Sequence, residues 1–389
     1  MLRQGMKVTY LNSAEGAFNY YRSHLPLSTA NKKKAALCER VMPGMLMFDR
    51  EFNPGKYERY FDADIIQMPN LMSTDFYSSV REAAKIFNPA CKFVVDFDDD
   101  IFNVSPFSPA YSKYGVEEFS IKAADGSVLP MWQDGKNMCI QENKKKLDDA
   151  KAILSEVDLL TVTTDELRKA YEPYCSRIEV IPNCIDVNLW ERWPHSGDES
   201  VRLFWSGGSS HFEDILILKD VIPAIFDKYP KAKLVLMGYI CKPLIASLPS
   251  DRVEIIDWCD IAMHPFIQSK ARPDIGLIPL RDNTFNRGKS ALKWMELSAM
   301  ETPCVMSNVT PYREMRELSG DDIGVYVENT KDSWVAGISH LIESNIAKRD
   351  IAKSARKTVE RNFDINNKFS LWVNAYKEIT SCQFQATRR

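Results

Sequence analysis

The sequence predicts an α/β protein made of two doubly wound, mostly parallel sheets, one following the other along the chain. Three observations predict it. Short apolar strands alternate with helical patterns through the first half. The alternation pauses over the polar stretch Asp186–Val201 and then begins again. The chain has 389 residues, more than one ordinary core organises.

In the first half, Lys7–Leu11 (KVTYL) reads as a strand, followed by the polar turn Asn12–Gly16 and a helix from Ala17. Asp64–Met68, Cys91–Asp96, Asp158–Val162 and Arg177–Ile181 are the next apolar bursts. Asn137–Glu156 is helical, with Leu147, Ala150, Ile153 and Leu154 on one side. Thr163-Thr164-Asp165-Glu166 has the form of a capping box for the helix ending near Tyr171. In the second half, Arg202–Ser206, Lys233–Met237, Arg252–Ile256, Asp274–Ile278 and Pro303–Met306 read as strands. Phe212–Lys228, Ile261–Ser269 and Lys289–Ala299 read as the helices between them, and beyond Asp332 the pattern is helical only. The expected domains are 1–188 and 189–365, hinged near 187–200, with 366–389 a helix packing back towards the first. In open parallel sheets ligands bind at the carboxyl ends of the strands, so a cleft between the two halves is the expected site.

Composition narrows the function. Apolar residues make up 45% and charged residues 26%, enough for a core and unlike a disordered tail. Fifty Lys and Arg against 53 Asp and Glu give a net charge of -3. Residues 1–195 hold 24 basic and 28 acidic side chains, net -4, and the remainder 26 and 25, net +1. Neither half has the basic excess of a protein that binds mainly through phosphate backbones. No apolar run reaches the roughly 18–20 residues of a membrane helix, and the start of the chain has no apolar leader. The nine cysteines are scattered, without a CxxC pair or a zinc spacing, which predicts free thiols in a reduced, cytoplasmic setting.

Four places stand out as sites. The first is Gly207-Gly208-Ser209-Ser210-His211, directly after a strand; adjacent glycines let a backbone approach a phosphate, and a helix start favours an anion. A tight turn without a ligand accounts for it equally well. It matches neither G-x-G-x-x-G nor a Walker loop, which disfavours dinucleotide and ATPase chemistry. The second is Asp282–Glu296. Lys289 and Ser290 are expected in the first turn of a helix, with Lys289, Lys293 and Glu296 on one face at i, i+4, i+7. Two ammonium groups and a carboxylate one turn on suit a diphosphate and a ribose; Asn286 and Arg287 lie in the loop before them. An ordinary Lys–Glu surface pair is the alternative. The third is Asp96-Phe97-Asp98-Asp99-Asp100. So many adjacent carboxylates repel one another unless a metal, a cation, sugar hydroxyls or helix caps receive them. Continued strand alternation would place Asp96, Asp98 and Asp100 on one side. The fourth is the first turn, with Gly16, Tyr20, Tyr21 and Arg22 as a candidate acceptor wall or, equally, loop and core. His24, His195, His264 and His340 read as isolated, structural histidines, and the runs Lys32–Lys34 and Lys144–Lys146 as solvated faces. No exposed apolar helix for a lipid is evident.

The order Val180-Ile181-Pro182-Asn183-Cys184-Ile185-Asp186, then Asp274-Ile275-Gly276-Leu277-Ile278-Pro279-Leu280, then Lys289-Ser290, Lys293, Glu296, Pro303 and Ser307 resembles the group 1 retaining glycosyltransferases of the GT-B fold. The pattern Phe285-Asn286-x-x-Lys289-Ser290-x-x-Lys293-x-x-Glu296, with the early acidic run and Tyr21-Arg22, looks like a subgroup of bacteria and tailed phages. Cys184 stands where the family commonly has Gly, Gly288 where its first Glu falls, and Glu301 where it usually has Gly. The family's Arg and Lys after the first strand of the second domain are replaced by Gly207–His211.

The resemblance implies a cytoplasmic hexosyl- or pentosyltransferase moving a sugar from a nucleoside diphosphate sugar, UDP before GDP, to an acceptor hydroxyl with retention. It implies no tightly bound cofactor and no metal. Gly207, Gly208, Ser209, His211, Asn286, Lys289, Ser290, Lys293 and Glu296 would bind the donor, with Glu296 on the ribose. Gly16, Tyr21, Arg22, Asp96 and Asp98 would bind the acceptor. Asp98, Asp99 and Lys289 are the catalytic candidates. The acceptor is a glycan or a hydroxymethylated base in phage-type DNA, the base held between Tyr20, Tyr21, Phe102 and Phe107. A nucleotide-sugar-binding protein without catalysis and a GT-B epimerase are the alternative functions. Oligomeric state is not legible.

Overall fold

The computed structural model describes residues 5–12, 16–123, 125–193 and 199–381. His195 and Cys382 lie outside the described residues, as do 13–15 of the first turn. The chain divides into two compact units: the first runs to Val104, takes up Ser112–Cys184 and resumes at Ile365, and the second comprises Ser105–Tyr111 and Ile185–Asp364.

The first unit is built on β1 (Lys7–Leu11), β2 (Leu37–Val41), β3 (Ile65–Met68), β4 (Lys92–Phe97), β5 (Phe119–Lys122), β6 (Val128–Trp132), β7 (Leu159–Val162) and β8 (Ile178–Val180). Six of these form a sheet in the order β2-β1-β3-β4-β7-β8, every pair parallel. β5 and β6 make a separate antiparallel hairpin. The second unit carries β9 (Val201–Gly207), β10 (Ala232–Gly238), β11 (Val253–Ile256), β12 (Ile275–Ile278), β13 (Cys304–Ser307) and β14 (Val325–Val327). Their order, β11-β10-β9-β12-β13-β14, is the 3-2-1-4-5-6 order of a dinucleotide-binding sheet, whose direction of winding reverses between β9 and β12.

The central strands are buried along their whole length and read as continuous apolar runs because helices cover both faces. The helix Asp165–Tyr171 is capped by Thr164, which accepts from the Leu167 amide at 3.2 Å, one residue later than the Thr163-x-x-Glu166 spacing of a capping box places it. Other elements differ. β2 was not foreseen: Leu-Cys-Glu-Arg-Val is an edge strand, half-exposed and polar on one side. The expected helix Phe212–Lys228 is broken into short turns before Val221–Lys228. The expected helix Lys289–Ala299 begins only at Leu292, because Asn283 caps a separate turn, Thr284–Arg287, that ends at Gly288. The helix Pro43–Phe52 exposes Met45, Met47, Phe48 and Phe52, an apolar face not evident in the sequence. Among the described residues no helix is long and apolar enough to cross a membrane.

Candidate active site

In the first unit, the chain after β1 enters a π-helical turn, Tyr20–His24, then the helix Leu25–Lys32. The turn swings Arg22 into the core, where it is fully buried. Its guanidinium grips Asp96 of β4 with two parallel bonds, Nε to Oδ1 and Nη2 to Oδ2, each 2.8 Å. Nη1 donates to the Ile181 carbonyl at 2.6 Å and to Asn183 at 3.2 Å. Thr161 donates to the same Asp96 oxygen, and the Trp372 ring lies 5.4 Å from the guanidinium. Tyr21 is buried beside them. Asp96 and Arg22 therefore hold one another, and neither reaches solvent as an acceptor contact would.

β4 ends at Phe97, so the alternation expected through Asp100 stops. Asp100 is buried and caps its own turn, accepting from the amides of Phe102 and Asn103 and from the Asn103 side chain at 2.8–3.2 Å. Asp98 and Asp99 are half-buried in that turn. Burial pushes the Tyr114 phenol up to about 12, with Asp99 and Asp98 adding to the rise. Gly16 caps the first short helix, its carbonyl accepting from Tyr20. Phe102 packs on Tyr171 and Tyr174.

In the second unit, charge gathers at the reversal point between β9 and β12. The Asp214 carboxylate is its hub: Oδ2 meets His211 Nδ1 at 2.9 Å, and Oδ1 accepts from the Arg281 amide at 2.8 Å and Asn286 Nδ2 at 3.0 Å. Asn286 is buried and donates also to the Arg281 carbonyl, so it shapes the loop from inside. Lys293 lies in a niche close against Gly207. A Cβ on Gly207 would stand 2.9 Å from Lys293 Nζ and 2.9 Å from the Trp205 ring, over which the ammonium sits at 5.1 Å. Lys289 and Ser290 precede the helix instead of opening it, which corrects the expected first turn; Lys289 Nζ lies 4.5 Å from the Phe285 ring centre. Gly208 is half-buried and Ser209 exposed at the same edge.

The cations act on each other. Burial lowers the Lys293 pKa to about 7; Asp214 and Glu296 oppose the fall and Lys289 adds to it. Burial likewise pulls His211 down to about 4, with Lys293 adding, despite the Asp214 carboxylate. At neutral pH His211 is therefore an uncharged imidazole with its proton on Nδ1, towards a carboxylate that can only accept.

Two participants have no signal in local sequence. His264, expected to be isolated, opens the helix His264–Lys270 with Nε2 at 3.5 Å from the buried Glu296 carboxylate. Trp258, beyond β11, is 64% exposed, and its ring covers the glycines at the strand ends. A Cβ would come within 3.3 Å of it at Gly238, where φ is +94°, and within 3.6 Å at Gly208.

No protein-family model matches the chain, and no curated protein sequence matches it. Solved structures do. A glycosyltransferase from Rickettsia africae is 13% identical with a TM-score of 0.62, over 97% of this chain and 99% of that one. HepE from Anabaena, solved with UDP and glucose, is 13% identical with a TM-score of 0.63, over 96% and 100%. The pneumococcal O-GlcNAc transferase GtfA, solved with UDP and GlcNAc, is 13% identical with a TM-score of 0.54, over 82% and 57%. The fold is that of the GT-B glycosyltransferases. Within this GT-B chain, no group of three or more His, Cys, Asp or Glu among the described residues is placed to hold a metal ion. Gly288, where the resembling family carries its first Glu, is buried.

Proposed function

We propose that the protein transfers a sugar from a nucleoside diphosphate sugar, UDP-linked in first place and GDP-linked in second, to an acceptor hydroxyl with retention. One observation carries the reading. At the winding reversal of a 3-2-1-4-5-6 sheet, the Lys293 ammonium is buried against Gly207 and the Trp205 ring, where burial lowers its pKa and Lys289 adds to the fall, on the helix that carries the buried Glu296. Such a cluster is stabilised by an anion. The diphosphate is that anion. As the bond to the anomeric carbon breaks, its oxygens gain charge, which Lys289, Lys293 and the backbone at Gly207–Gly208 stabilise. Glu296 accepts from the ribose hydroxyls, and Trp258 offers the base a stacking face. Asp98 and Asp99 are the first unit's candidates for sugar hydroxyls.

A glycan is the favoured acceptor. Lys145 is paired with Asp149 at 2.7 Å, Tyr21 is buried and Phe102 is partly buried against the core, which weakens the reading of a flipped DNA base. Gly288 favours a second reading, a nucleotide-sugar-binding protein without catalysis. Calorimetry with UDP and GDP tests the donor site: heat with UDP is expected, and no heat with either nucleotide overturns it. UDP release in the presence of glycan acceptors separates the enzyme from the binding protein.

A further inference from the structure

We infer that His211 is a specificity-determining residue that receives a hydroxyl of the transferred sugar on its Nε2 lone pair; this rests on the donor-site reading above. The ring stands in the short turn Ser209–His211 after β9, where the His211 amide donates to the Gly208 carbonyl at 3.1 Å. One edge of the imidazole is engaged. Nδ1 lies 2.9 Å from Asp214 Oδ2, and Asp214 is itself pinned by the Arg281 amide and the Asn286 side chain. A carboxylate only accepts, so the proton between the two sits on Nδ1. Among the described residues none bonds Nε2, and the side chain is 15% exposed. Burial keeps the ring uncharged at neutral pH, with Lys293 and Lys289 adding, although Asp214 opposes. Nε2 therefore presents a lone pair and no proton.

That lone pair selects what it meets. The oxygens of a diphosphate are acceptors too, so the lysines can serve them and this edge of the imidazole cannot. A hydroxyl can donate to it. The order of the charges says which hydroxyl. Glu296 acts on Lys293, one turn before it on the same helix, whereas the charges acting on His211 are Lys293, Lys289 and Asp214. Lys293 thus stands between the carboxylate and the imidazole. A nucleotide sugar laid along this row has its ribose at Glu296 and its phosphates at Lys293. The next group of the molecule, the sugar, then falls at His211.

Two substitutions separate the lone pair from the ring. His211→Asn keeps an N–H for Asp214 at the Nδ1 position and leaves nothing at Nε2. His211→Gln brings an amide oxygen to the Nε2 position as a replacement acceptor. The readout is the affinity for UDP-glucose, UDP-galactose and UDP-GlcNAc, each divided by that for UDP, measured by calorimetry on the full chain. His211→Asn should lower this ratio roughly tenfold for at least one of the three sugars, and His211→Gln should retain most of it. If the Asn variant leaves all three ratios unchanged, whether or not UDP itself weakens, Nε2 meets no sugar hydroxyl and the inference falls. It falls also if Gln loses as much as Asn, since the ring and not its lone pair then matters. A wild-type chain that binds UDP and none of the three sugars overturns it as well. If wild type binds neither UDP nor GDP, the donor-site reading fails first and takes the inference with it.

Discussion

The two units place charge at the carboxyl ends of their sheets in opposite ways. In the first, Arg22 and Asp96 meet with matched geometry, and Ile181, Asn183 and Thr161 add hydrogen bonds to the pair. In the second, burial holds the Lys293 pKa near 7 although Asp214 and Glu296 oppose the fall, and Lys289 adds to it. The first arrangement is complete within the protein and serves the fold. The second leaves an ammonium held below its ordinary pKa, and under the proposed donor-site reading an anion would relieve it. Charged residues after a strand carry no label saying which kind they are. The difference lies in whether their partners come from the chain.

Four changes test this contrast. Arg22→Met should be the most damaging, lowering the stability of the first unit by about 3–5 kcal/mol in urea unfolding, because Asp96 is left buried without its cation. A loss below about 1 kcal/mol would mean that the pair is not holding that unit together. Lys293→Met should do the reverse: the second unit becomes no less stable, since a buried amine disfavours folding. UDP affinity should fall by about 1.5–3 kcal/mol. Unchanged UDP affinity would remove Lys293 from the site. Gly207→Ala is a milder way to disturb the same ammonium. It should weaken UDP binding by roughly 1 kcal/mol through the 2.9 Å approach to Lys293 and Trp205, with the urea midpoint nearly constant. An alanine variant that binds as wild type would show the niche to be slack.

The smallest effect is a proton. With Lys293 near pKa 7 in the free protein, an arriving diphosphate raises that value, so UDP binding should take up a fraction of a proton between about pH 7 and 8. UDP affinity should decline as pH rises through that window, and the binding heat should differ between phosphate and Tris buffers. The same depressed value makes the unfolded chain bind more protons above pH 7. This group's contribution to stability therefore rises with pH from about 7 towards the ordinary lysine value of about 10.4. Equal heats in both buffers would place Lys293 away from the phosphates.

Much of the frame was legible because parallel strands covered on both faces must be apolar throughout. β1, β3, β4, β7, β9, β10, β12 and β13 announce themselves in that way, and β8 and β11 are legible as strands although partly exposed. β2, β5, β6 and β14 are not: β2 is a half-exposed edge, β5 and β6 form a largely exposed hairpin, and β14 is only three residues long. The cluster of Lys289, Lys293 and Glu296 was visible as spacing, yet the helix start was misplaced, since Asn283 looks like loop until it is seen capping Thr284–Arg287. The fates of Arg22 and Asp96 were not legible. They are 74 residues apart, and only the sheet order brings the π-turn after β1 to β4. His264 and Glu296 meet for the same kind of reason, across two separate crossovers of the second sheet.

The C-terminal helix Ser370–Ser381 belongs to the first unit, where Tyr376 donates to Gln67, a residue 309 positions earlier. On a ribosome this sets an order of events. At about 5–20 residues per second, roughly 15–60 s pass between the synthesis of Gln67 and that of its partner. Throughout that interval the π-turn lacks Trp372, the aromatic lid over Arg22, while nearly all of the second unit has emerged as an uninterrupted stretch. Maturation therefore runs inside out: the later-made unit can finish first, and the earlier one waits for the last helix to be translated.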